Sequence, residues 1–201
     1  MANVDRANGF APVKHFNGSP WNQQANMYVI LSTDTGAYGV GSAVKSFAGG
    51  DANGVPAVTI AAAGNVLRGV IVGVLPPGSN GNLNADAVNA TPGPIPTTKT
   101  RDYYVLVVDD PSVVFEIQAN NSSDFPTSDL NSNANMVVGV PVSPSPFATT
   151  ELDASTTDTT NTLQLKILGK VQRPNVDLTA NTKLLVMINQ HELMGGTTAV
   201  A

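Results

Sequence analysis

His15 and His191 are the only imidazoles in the 201-residue chain, and they lie far apart in sequence. Acyl-transfer chemistry needs a histidine between a nucleophile and an orienting carboxylate, yet no serine here sits in a G-x-S-x-G context. His191-Glu192 lacks a second histidine four residues on, so the zinc-protease pattern is missing. Asp109-Asp110 sets two carboxylates side by side, where they could bind a cation or share a proton. They precede Pro111, however, and acidic residues ahead of proline commonly start turns. Gly36, Gly39 and Gly41 satisfy neither nucleotide-binding glycine pattern, and no helix follows to supply a dipole. Asp51 and Asn53 before Gly54 resemble the start of a calcium loop without its distal glutamate, which favours a hairpin turn. Asn17-Gly18-Ser19-Pro20 also reads as a turn. The titratable inventory therefore points to no enzyme, no cofactor and no metal site.

The elements that would have to position such residues are short and β-rich. Charged residues make up only 12% of the chain, about half the usual share. Long solvated helices need charged outer faces, so few are expected. Eighteen glycines and 14 prolines supply many turns. The net charge of −5, with no lysine or arginine cluster, argues against nucleic-acid binding. No run of 18 apolar residues exists to span a membrane, and the first residues lack a secretory pattern. Zero cysteines leave burial and backbone pairing to hold the fold, and suit assembly in a reducing cytoplasm.

Nine strands are predicted, at Tyr28–Leu31, Ser42–Phe47, Val58–Ala62, Leu67–Leu75, Tyr103–Val108, Val113–Gln118, Met136–Val140, Leu163–Gln172 and Lys183–Ile188. In Leu67–Leu75 the valines at 70, 72 and 74 share a face, and Gly69 and Gly73 suggest a bulge or a close backbone approach. Val113, Phe115 and Ile117 alternate against Val114, Glu116 and Gln118, as in a half-buried antiparallel strand. The sum is an all-β domain over residues 27–194, an antiparallel barrel or a jelly-roll-like sandwich. Residues 76–98 form a Pro/Gly/Asn-rich insertion and 195–201 a flexible tail of small residues.

Residues 1–26 show no periodicity, but they carry Phe10, Phe16 and Trp21. Ordering such a stretch costs roughly 1–2 kcal/mol per residue, more than three anchors return at about 1.5–3 kcal/mol each. The expectation is an extended arm that orders only against another surface, with a floppy terminus as the alternative. Deleting residues 2–25 would then leave a folded domain that has lost its binding partner.

Two segments resemble a family of small virion proteins encoded with major capsid genes in tailed bacteriophages: MANVDRANGFAPVKHFNGSPWN at the N-terminus and TTELDASTTDTTNTLQLKILGKVQRPNVDLTANTKLLVMINQHEL near the C-terminus. The segment GSAVKSFAGGDANGVPAVTIAAAGNVLRGVIVGV looks like the β-barrels of phage decoration proteins. The resemblance implies a capsid decoration, or cement, protein on the capsid exterior that bridges major capsid protein subunits. It also implies a closed homo-oligomer, a trimer or a dimer, since such proteins tend to sit on local symmetry axes. Phe10, His15, Phe16 and Trp21 would be the contacts to the capsid or to a neighbouring subunit. A neck or tail role, a carbohydrate-binding sandwich on the virion and an enzyme on a β scaffold stay open as rivals.

Overall fold

The computed structural model describes residues 3–75, 94–142 and 145–194. Most of the insertion expected at 76–98 and the whole tail at 195–201 lie outside the described residues. The chain is all-β. Twelve strands are found among the described residues: β1 (Ala11–His15), β2 (Asn26–Ile30), β3 (Ala43–Gly50), β4 (Pro56–Ile60), β5 (Gly69–Val74), β6 (Tyr103–Val108), β7 (Val113–Gln118), β8 (Asn133–Ala134), β9 (Met136–Val137), β10 (Glu151–Leu152), β11 (Leu165–Lys170) and β12 (Lys183–Ile188). All nine expected strands are present, β6, β7 and β12 with the expected bounds and the other six with shifted ends, while β1, β8 and β10 were not expected. Among the described residues no helix is long and apolar enough to cross a membrane.

Barrel and sandwich are both realised. Strands β2-β4-β3-β5-β6 close into a barrel, and β1-β7-β12-β11-β8 form an antiparallel five-stranded sheet. A two-stranded pair, β10-β9, completes the set. The barrel interior is filled by Tyr28, Ile30, Tyr38, Val44, Val58, Ile71, Val74, Ile95, Val105 and Val107. A second core lies where the sheet meets the barrel. There Val113, Phe115 and Ile117 of β7, Leu165 and Ile167 of β11 and Leu184, Val186 and Ile188 of β12 pack with Ala43, Leu67, Val70 and Val108. The alternation read in β7 therefore selects the core face, but the strand is not half-buried as expected: on its other face Val114 and Gln118 are 0% and 3% exposed and only Glu116 is partly open.

The expected single face for Val70, Val72 and Val74 is corrected. A register shift between Ile71 and Gly73 flips the alternation, so Val70 joins the sheet–barrel core while Ile71 and Val74 enter the barrel. The two glycines of β5 act differently. A Cβ on Gly69 would overlap the Val108 carbonyl, whereas one on Gly73 would meet Leu106 at an ordinary 3.5 Å. Gly69→Ala is expected to cost more than about 2 kcal/mol, and Gly73→Ala to stay within about 1 kcal/mol of wild type. Urea denaturation of the two variants checks this contrast.

The expectation of an extended arm that orders only against another subunit is also corrected. Ala11–His15 pairs antiparallel with β7 through Ala11↔Glu116, Pro12↔Phe115, Lys14↔Val114 and His15↔Val113, with a bulge at Val13. Pro12 is tolerated because β1 is an edge strand. Phe10 is only 1% exposed; its ring meets Phe115 edge-on at 5.9 Å, and its N–H donates to the Gly41 carbonyl at 3.1 Å. Further out, the Asn3 amide donates to the Asp177 and Ala180 carbonyls, and the Arg6 N–H donates to the Gln118 side chain. The segment does order against another surface, as the entropy argument required, but that surface is the chain's own sheet. Its strand partner β7 lies about a hundred residues away, and the carbonyls that hold Asn3 up to 177 residues away, where local periodicity carries no information.

Candidate interaction surface

The fold brings His15 together with Asp110 and Ser112, but not as a relay. The Asp110 Oδ2 and the Ser112 Oγ both lie 3.3 Å from the same nitrogen, His15 Nδ1. The Ser112 hydroxyl donates to Asp110 Oδ1 at 2.7 Å. A triad needs the nucleophile and the carboxylate on opposite ring nitrogens. The cluster instead pins the β6–β7 turn to the end of β1. Burial raises the Asp110 pKa, but the Ser112 N–H and hydroxyl and the neighbouring His15 outweigh it and hold the carboxyl below its ordinary value.

Asp109 does not share that site. It faces the barrel, accepting from the Tyr28 hydroxyl at 2.6 Å and the Asn26 amide at 2.8 Å, with Arg68 at 3.4 Å. Burial and the hydrogen bond to Asp109 push the Tyr28 pKa up to about 12. The adjacent carboxylates are thus divided between a turn and a structural network. Asp51 accepts from Asn53, Val55 and Tyr104, which makes the Asp51–Gly54 segment a turn whose carboxylate is already occupied. Asn17-Gly18-Ser19 likewise closes a reversal, with the His15 N–H donating to the Ser19 carbonyl at 2.8 Å. Among the described residues no three His, Asp or Glu side chains are grouped to hold a metal ion.

His191 is 2% exposed at the junction of barrel and sheet, where Leu67 N–H donates to the Gln190 carbonyl and Glu192 N–H to the Leu67 carbonyl. Its Nδ1 accepts from the Leu193 N–H at 3.0 Å, which fixes the neutral tautomer with the proton on Nε2. Burial, aided by the Arg68 charge, lowers its pKa. The unfolded chain, titrating near about 6.5, then binds the proton more readily than the folded chain. Stability from this group is full above that value and declines as pH falls through it towards the depressed folded pKa. Thermal melts from neutral to mildly acidic pH are expected to show this loss. His191→Asn, which keeps an acceptor for Leu193, is expected to flatten it.

The outer face of the five-stranded sheet has a different character. Register aligns Lys14, Val114, Met187 and Lys166 in one row across β1, β7, β12 and β11, with Glu116 and Leu185 in the next. Leu168 and Met187 line an apolar groove of about 260 Å³ with Phe16, Pro111, Ile188 and Met194. Phe16 and Met194 stand 68% and 55% exposed at its rim. Lys166 also lines this groove, its ammonium donating to the Asn131 carbonyl, and burial lowers its pKa. Arg173 and Lys183 both reach Glu116, so four of the chain's ten cationic side chains gather on or beside this face of an acidic protein. The arrangement offers apolar contact bordered by positive charge.

Of the four residues expected to make contacts, Phe16 stands at this groove. His15 is tied to the β6–β7 turn, Trp21 is half-buried against the sheet–barrel core with its indole N–H donating to the Gln24 carbonyl at 3.3 Å, and Phe10 is a core residue. Phe10 is therefore withdrawn as a contact. Leu168, Leu185 and Met187 were missed, although a signal was there: KLLVMI and LQLKILGK are apolar at positions on both sides of the alternation, which one-sided burial does not require. No protein-family model matches the chain, and neither a curated protein nor a solved structure matches it.

Proposed function

We propose that this chain is a non-enzymatic structural protein of a tailed-bacteriophage virion. It binds the outer surface of the capsid and stabilises it by bridging major capsid protein subunits, after assembly in the host cytoplasm. The observation that carries this proposal is the apolar, lysine-bordered outer face of the sheet around Phe16, Leu168 and Met187. A contiguous apolar patch rimmed by polar groups marks a protein-contact surface. Its cationic border suits an acidic partner surface and steers encounter. Such a contact need not be tight singly, because repetition over a symmetric shell multiplies it. The histidines, the paired carboxylates and the Asp51–Gly54 cluster serve turns and internal networks, which leaves docking as the role best supported by the exposed chemistry.

Purified protein mixed with capsids that lack it is expected to co-sediment with them, and rising salt is expected to weaken the binding. The double variant Leu168→Glu/Met187→Glu is expected to lose at least about tenfold in affinity, which equals about 1.4 kcal/mol, while its melting curve stays close to wild type. Failure of the wild-type protein to sediment with capsids, or unimpaired binding by the double variant, would count against the proposal.

A further inference from the structure

We propose that a second apolar surface, the ridge formed by Val137, Val138, Val140, Val142 and Phe147, is where copies of this chain contact one another. These five side chains are 39%, 36%, 53%, 64% and 42% exposed; Val137 ends β9, and the other four lie on the described residues between β9 and β10. Large apolar groups concentrated so closely in one exposed segment call for a partner.

The backbone beneath them is pinned. Val40 N–H donates to the Pro146 carbonyl and Ala148 N–H to the Val40 carbonyl, each at 2.9 Å, fixing the segment to the barrel. The Thr149 hydroxyl donates to the Val140 carbonyl at 2.9 Å and Ser145 N–H to the Val142 carbonyl at 2.8 Å, fixing it to itself. A Cβ on Gly139 would overlap the Thr149 backbone, so glycine is needed where the two limbs meet. Pro141 and Pro146 further restrict the chain. The valines are thus presented on an ordered support, which lowers the entropic cost of binding.

Charge selects the occupant. From Leu130 to Thr150 the sequence has no ionisable side chain. Two copies that each carry a net charge of −5 repel one another over most of their surfaces. An uncharged apolar ridge is a surface on which identical copies meet without pairing like charges. The lysine-bordered sheet face is the opposite case, since two such faces would oppose cation to cation. Self-contact at the ridge also does not depend on what the sheet face binds.

Sedimentation velocity of the full chain tests this directly. The wild-type protein is expected to sediment as a dimer or trimer of its 20.7 kDa chain, more completely as salt screens the mutual repulsion. Val140→Asp/Val142→Asp is expected to sediment as a monomer, whereas Leu168→Glu/Met187→Glu keeps the oligomer. A second measurement does not depend on disrupting the surface. The chain has no cysteine, so Val142→Cys with a short bismaleimide is expected to give a linked dimer. The exposed Val66, outside the ridge, is expected to give none as Val66→Cys. A monomeric wild-type protein at high micromolar concentration, an oligomeric ridge variant, or equal cross-linking at both positions would overturn the proposal. Capsid binding by a monomeric wild-type protein would overturn self-contact at the ridge alone and leave docking through the sheet face intact.

Discussion

Phe10→Ala is expected to cost about 3–5 kcal/mol of unfolding free energy, the range for truncating a fully buried aromatic. The ring is 1% exposed and packs edge-on against Phe115 in the core shared by sheet and barrel. The Ala side chain would leave a cavity between β7 and the barrel that backbone movement cannot close. The neighbouring backbones are in close contact: a Cβ on Gly9 would overlap the Gly41 carbonyl, and one on Gly41 the Asn8 carbonyl. Marginal domains hold only about 5–15 kcal/mol in total, so the variant should populate unfolded chains at modest temperature. Urea denaturation with fluorescence and circular dichroism checks it; a loss below about 1 kcal/mol would contradict the core assignment. Removing residues 2–25 deletes β1 together with Phe10, so the truncated chain is expected to misfold rather than to remain an intact domain.

Asp34→Ala is expected to have a comparable effect for an electrostatic reason. The Lys99 side chain is fully buried, and its ammonium donates to the Asp34 carbonyl at 2.8 Å, to the Gly36 carbonyl and to Asp34 Oδ1 at 3.3 Å. The same carboxylate accepts from the Tyr38 and Thr59 hydroxyls and from the Gly36 N–H, each at 2.7 Å. Removing it leaves the buried Lys99 cation and the buried Tyr38 hydroxyl short of a partner, a loss of about 3–5 kcal/mol. Although burial raises the Asp34 pKa, the donors from Thr59, Tyr38, Gly36 and Lys99 outweigh it and hold the carboxyl below its ordinary value. The folded state therefore binds this proton less readily than the unfolded one. Its contribution is full above the unfolded value of about 3.9 and is lost as pH falls through the folded pKa. Melts of wild type and Asp34→Ala are expected to differ most above about pH 4 and to draw closer as the pH is lowered below that value. A gap that does not narrow as the pH falls would contradict this.

The strands were legible wherever a segment carried its own alternation. Val113–Gln118 shows the period of two, and its core face follows from it. Ala11–His15 does not, since Pro12 and Lys14 interrupt any pattern and its burial is set by β7 a hundred residues on. The β5 bulge was legible as glycines but not as a reversal of facing, because the register shift depends on the pairing with β6. Met136–Val140 was read as one strand, yet only Met136–Val137 pairs, with β10, and the following valines are exposed. Apolar composition alone does not tell a buried strand from an exposed ridge. For the same reason Phe10 and Phe16, six residues apart and equally aromatic, end in a core and on a surface. The outer sheet face needed strand order before Lys14, Val114, Met187 and Lys166 could be placed in one row.

Difference density from cryo-electron microscopy of virions with and without this chain tests the central claim most directly. Discrete β-rich density is expected on the outside of the head shell, with the Phe16, Leu168 and Met187 face turned towards the major capsid protein. Density confined to the neck or tail, or a bound chain that turns this face to solvent, would contradict it.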